Sequence, residues 1–148
     1  MKKQMLVFLI IFGIGFFGYG LIEILWRGYT HPSMSLAGGI SYCIIFLATE
    51  RLKSLNFLYK CIVGGLIITF VELAFGLLLN LSMNLEIWNY SMIPINLQGQ
   101  ICMLYSVLWC FLSAPIIFLL MKIKKALKFE LKYESMSENN QIMYYETT

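Results

Sequence analysis

Two carboxylates stand where an apolar chain tolerates them least. Glu23 lies in the run 5–26 and Glu72 in the run 61–80, each the only acid of its stretch. A carboxyl group inside hydrocarbon faces a partner, faces a cavity or carries a proton, so such acids often mark ion, proton or substrate paths. The competing reading is structural. Glu23 would pair with Arg27, four residues on and on the same helical face, while Glu72 hydrogen-bonds a neighbouring helix. Asn80 lies on the face of Glu72, so Glu23, Arg27, Glu72 and Asn80 form a candidate polar site inside the membrane.

A second set follows from where the runs end. Arg27, Thr30 and His31 close the first run, and Asn80, residues 88–90 and Gln100 flank the connection after the third. If the two ends meet on one side, His31, Trp88, Asn89, Tyr90 and Gln100 line an outward-facing cleft. His31 is the only histidine and has no second ligand beside it, so an interfacial role suits it better than base or metal chemistry. Trp26, Tyr29, Trp88 and Tyr90 fit an aromatic belt at the membrane surface better than a binding cage.

Several chemistries have no residues to perform them. The four cysteines, Cys43, Cys61, Cys102 and Cys110, show no CxxC spacing, and the chain has no Asp, which leaves no metal site to expect. No phosphate-binding GxxxxGK[ST] loop, GxSxG or HExxH motif occurs. We expect no catalytic residue, no cofactor and no enzyme. Without a folded basic domain, no nucleic-acid partner is expected either.

The elements that must carry these residues are membrane helices. The 148 residues are 59% hydrophobic and 13% charged, with a mean hydropathy of +0.75. Soluble domains run near ~45–50% apolar and ~25% charged. The expected fold is all-α and polytopic, with four transmembrane helices at about 5–26, 34–49, 61–80 and 99–121. The third is the clearest. At about 100° per residue, Cys61, Gly65, Thr69, Glu72, Gly76 and Asn80 share one arc of about 100°, and the other faces are Leu, Ile, Val and Phe. Insertion survives the acid: a central charge costs roughly 2.5–3.5 kcal/mol, and the apolar residues of this run return roughly 4–7. Gly38 and Gly39 in the second span suit close helix packing.

The connection 81–98 is too apolar for a free linker and too broken for a span. We expect it at the interface or folded back over the bundle. Four spans put both termini and the second connection on one side, and that side carries ten of the eleven Lys and Arg. By the positive-inside rule both termini are cytoplasmic. The domain boundary is expected near residue 122, with 123–148 a basic, then acidic, largely disordered tail whose lysines touch anionic lipid.

The sequence also resembles a known family. Its marks are Gly20, the string Glu23, Ile24, Leu25, Trp26, Arg27 and Gly28 with Thr30 and His31, the pair Gly38 and Gly39, and Glu72 with Gly76 and Asn80. To these add Trp88, Asn89, Tyr90 and Ser91 with Pro94, then Asn96, Leu97, Gly99, Gln100, Ile101 and Cys102, and finally Leu108 and Trp109. Over residues 20–121 the chain resembles the small bacterial four-helix membrane proteins catalogued as "putative ABC-transporter" permeases, the CmpB-like or "type IV" group. That family usually has Asp where this chain has Asn89 and an aromatic where it has Pro32. The resemblance implies a permease in the bacterial cytoplasmic membrane.

The expected function is therefore a permease-like or transporter-associated subunit. Its partners would be the lipid bilayer and either further copies of itself or a separate ATPase or membrane subunit, because four helices are few for a solitary transporter. The alternative is a regulatory or envelope-assembly protein whose outer loop binds a ligand or protein.

Overall fold

In a computed structural model the chain is mostly helical, and among the described residues four helices are long and apolar enough to cross a membrane: Met5–Arg27, Pro32–Thr49, Phe57–Ser82 and Met103–Ala126. The structure describes the backbone of residues 2–52 and 54–146, with side chains described for 5–49, 51–52 and 54–126. The chain divides into two compact units, Met1–Ile117 and Phe118–Thr148. The first holds α1 (Lys2–Arg27), α2 (Pro32–Arg51), α3 (Phe57–Phe75) with a π-helical continuation Gly76–Ser82, a small hairpin of β1 (Asn96–Leu97) and β2 (Ile101–Cys102), and the first part of α4 (Met103–Glu146). The second consists of the rest of α4, where Lys122 Nζ lies 4.5 Å from the centre of the Phe118 ring. The expected tail disorder falls mainly on residues whose side chains lie outside the described set.

Local chemistry sets the helix ends. Pro32 occupies the first position of α2, where its missing N–H costs nothing, and His31 is the cap in extended backbone. The Ser33 N–H donates to His31 Nδ1 at 3.3 Å. Asn56 caps α3, its Oδ1 accepting from the Tyr59 N–H at 3.0 Å. The fourth helix starts at Met103, later than residue 99, because Gln98 (φ 50°) and Gly99 (φ 69°) adopt left-handed backbone and turn the chain into the hairpin. Antiparallel pairing sets Asn96 against Cys102 and Leu97 against Ile101.

Packing between helices relies on missing side chains. A Cβ on Gly15 would sit 2.6 Å from the Gly38 carbonyl oxygen, and one on Gly38 would sit 2.6 Å from that of Gly15. So α1 and α2 approach backbone to backbone. Between α3 and α4, a Cβ on Gly65 would meet the Cys110 backbone nitrogen at 2.6 Å, and Ser113 Oγ donates to the Cys61 carbonyl at 2.7 Å. Helices α3 and α4 are clamped there.

We predict that Gly65→Ala lowers stability by about 1–3 kcal/mol, since the obstructing atoms are backbone and cannot rotate away. Gly13→Ala, with open space around the position, leaves it unchanged or slightly raised. Thermal unfolding in detergent distinguishes the two.

Candidate functional site

The i, i+4 spacing on α1 brings Glu23 and Arg27 together as the sequence implies. Arg27 Nη2 donates to Glu23 Oε1 at 2.6 Å, and Thr30 Oγ1 donates to Glu23 Oε2 at 3.0 Å. Glu23 is buried, and the Arg27 guanidinium also lies 5.1 Å from the centre of the Tyr29 ring. Both acid oxygens are thus engaged near the end of the span.

Glu72 is buried deeper and differently. Only 3% of it is exposed, and its two oxygens accept from two uncharged donors, Tyr90 OH and Trp109 Nε1, both at 2.8 Å. Tyr90 comes from the connection between α3 and α4, which therefore returns into the helical unit to reach this acid. Burial, and then the Glu72 carboxylate beside it, push the Tyr90 phenol well above its ordinary range. Tyr90 keeps its proton at any physiological pH and acts as a fixed donor. Its ring stacks on Tyr105 with centres 4.7 Å apart, and Trp109 packs against Tyr19 at 5.5 Å.

These groups border a cleft of about 330 Å³ between α1 and α4. Tyr19, Ile22, Glu23, Trp26 and Arg27 line one wall, and Tyr105, Leu108, Trp109, Phe111 and Leu112 the other, with Tyr90 from the connection. The walls are chiefly aromatic and aliphatic. Glu72 sits behind Tyr90 and Trp109.

The remaining candidates gather elsewhere. Asn80, on the π-helical segment, donates to the Trp88 carbonyl at 3.0 Å and to Gln100 Oε1 at 2.9 Å, and its Oδ1 accepts from the Ile87 N–H at 2.8 Å. Trp88 Nε1 donates to the Gln100 carbonyl at 2.9 Å. This knot is buried and fully paired, so it holds the connection in place and leaves little capacity for a ligand. Trp88, 5% exposed, is thus no belt residue, whereas Trp26, 70% exposed, has the exposure a belt needs. Asn89 is exposed and its Oδ1 accepts from the Ser91 N–H at 2.8 Å, closing a turn. His31 is exposed at its helix cap and does not line the cleft.

Of the nine candidates, the cleft unites Glu23, Arg27 and Tyr90, with Glu72 behind. Sequence reasoning passed over Tyr19 and Tyr105, and named Trp109 among the family marks without placing it in either candidate site. A signal existed: Tyr19 precedes Glu23 by one helical turn, and Tyr105 precedes Trp109 likewise. Among the described residues no three His, Cys, Asp or Glu side chains cluster as a metal would require.

Removing one donor from a buried carboxylate costs about 1–3 kcal/mol. We therefore predict that Tyr90→Phe lowers the unfolding free energy in detergent by about that much. In a Glu72→Leu background, where no acceptor awaits the hydroxyl, the same change costs close to nothing.

No curated protein and no solved structure matches the chain. A family model described as "Putative ABC-transporter type IV" matches residues 5–144, a stretch that takes in every element bordering the cleft. The chain belongs to that family.

Proposed function

We propose that this membrane protein is a permease-like subunit that handles a small solute at the cleft between α1 and α4, working with an ATPase or with further copies of itself. The observation that carries the reading is a space of about 330 Å³ with a half-buried ion pair on its wall and a buried acid behind it. Pockets of roughly 300–1,000 Å³, mostly apolar with a few placed polar groups, are the usual form of small-ligand sites. Membership of a transporter family supports the same reading. Orientation follows from charge: with ten of eleven Lys and Arg on the side of the termini, we place the termini in the cytoplasm and the cleft mouth on the opposite face of the bacterial cytoplasmic membrane. Nothing in the proposal calls for covalent chemistry.

One observation favours a second reading, in which the outer connection binds a protein or ligand for regulation or envelope assembly. Met92 and Ile95 on that connection are 94% and 79% exposed, although the segment around them is hydrogen-bonded through Asn89, Asn96 and Gly99.

Two measurements test the proposal. Purification from native membranes in mild detergent is expected to recover an ATPase or a second copy; a lone monomer would overturn it. Glu23→Gln is expected to reduce uptake or growth on the transported solute at least tenfold, while a Met92→Ser, Ile95→Ser double variant leaves it intact. The reverse pattern favours the second reading.

A further inference from the structure

We infer that the cleft takes a single-chain amphiphile with a carboxylate head, held head-outward at Arg27. The inference rests on the reading of the cleft as the working site and names its ligand. It follows from what the walls still lack. Both oxygens of Glu23 are engaged, by Arg27 and Thr30, and both oxygens of Glu72, by Tyr90 and Trp109. The acids need no cation from outside. Arg27 Nε, in contrast, is buried with no hydrogen-bond partner. A buried donor left unmet is unfavourable, and a ligand acceptor removes that penalty. The other such atom among the described residues, Thr69 Oγ1, does not line the cleft.

Polarity is also graded along the walls. Arg27 ends α1, and Tyr19 lies eight residues deeper, about 12 Å at ~1.5 Å per residue. On α4 the lining runs from Tyr105 to Leu112, a depth of about 10 Å. Charge sits at one end, and the lining beyond Glu23 is Tyr19, Ile22, Trp109 and Leu112. Trp26 and Phe111 are the most exposed lining residues, so the cleft opens on the helix surface that meets lipid. A head at the membrane surface and a chain laid between the helices match this gradient. Some 330 Å³ holds one slim chain rather than a two-chain lipid. With Glu23 beside Arg27, a doubly charged phosphate meets repulsion, while a single carboxylate matches the buried Nε–H that has no partner.

The probe is 12-bromododecanoate, titrated into the protein in phosphatidylcholine nanodiscs. A Trp26→Phe background removes the exposed indole; of the two that remain, Trp109 lines the cleft and Trp88 does not, so binding in the cleft is read as the partial quenching that belongs to Trp109. Saturable quenching is expected, with half-saturation raised at least tenfold by Arg27→Gln. Arg27→Lys keeps the charge beside Glu23 but lacks Nε, and is expected to weaken binding at least threefold even if Arg27→Gln does not fold. Leu112→Phe, which fills the cleft away from the head, is expected to weaken it as well. Unsaturable quenching, indifference to both Arg27 variants, or equal binding of 12-bromododecyltrimethylammonium overturns the inference. Complete displacement by phosphatidylglycerol in the disc also overturns it and makes a bilayer lipid the occupant. Arg27-dependent binding without a copurifying ATPase or second copy leaves the ligand assignment standing and removes the transporter reading; copurification without such binding does the reverse.

Discussion

A carboxylate inside a lipid-spanning helix is the constraint from which the rest of this structure follows. Among the described residues no cation touches Glu72. Two neutral donors hold it instead, one from α4 and one from the connection after the third span. In a low-dielectric interior, an acid stripped of either donor is costly, so the fold must keep Tyr90 and Trp109 in place. The connection therefore cannot be a loose loop at the membrane surface. It has to dip back, and the buried knot of Asn80, Trp88 and Gln100 keeps it there.

The same constraint builds the cleft. Trp109 is held by its indole N–H to Glu72 and packs on Tyr19; Tyr90 is held by its hydroxyl and stacks on Tyr105. With these rings fixed, α1 and α4 are kept apart at the level of Glu23 and Arg27, whereas glycines bring α1 to α2 and α3 to α4 at close range. A rigid aromatic frame is suited to binding without large rearrangement, because the order it needs exists before a ligand arrives.

Much of the helical plan could be read from residues alone. The apolar runs, the Glu23–Arg27 spacing and the glycines of α2 are local signals, and each appears in the structure in the role its spacing implies. What could not be read was which polar residue meets which. Glu72 and Asn80 lie on one α-helical stripe but serve different partners, and Trp88, an apparent surface anchor, is buried by a hydrogen bond to a residue twelve positions away. The hairpin before α4 depends on left-handed backbone at Gln98 and Gly99, for which only the glycine gives a sequence hint. Tyr19 and Tyr105 escaped notice, and Trp109 was given no place in a site, because aromatics in a membrane span look like lipid-facing bulk until a polar neighbour is known.

The π-helical turn Gly76–Ser82 carries a geometric consequence. A wider turn rotates each following side chain less than an α-helix does, so the stripe drawn by a 3.6-residue period drifts once Gly76 is passed. Over the eight residues from Glu72 a 3.6-residue period would set Asn80 about 80° round the axis; the wider turn takes back most of that angle, so Asn80 reaches the knot from nearly the heading of Glu72. One continuous rod thus keeps two polar anchors near one heading, Asn80 latching the connection and Glu72 bracing the ring frame.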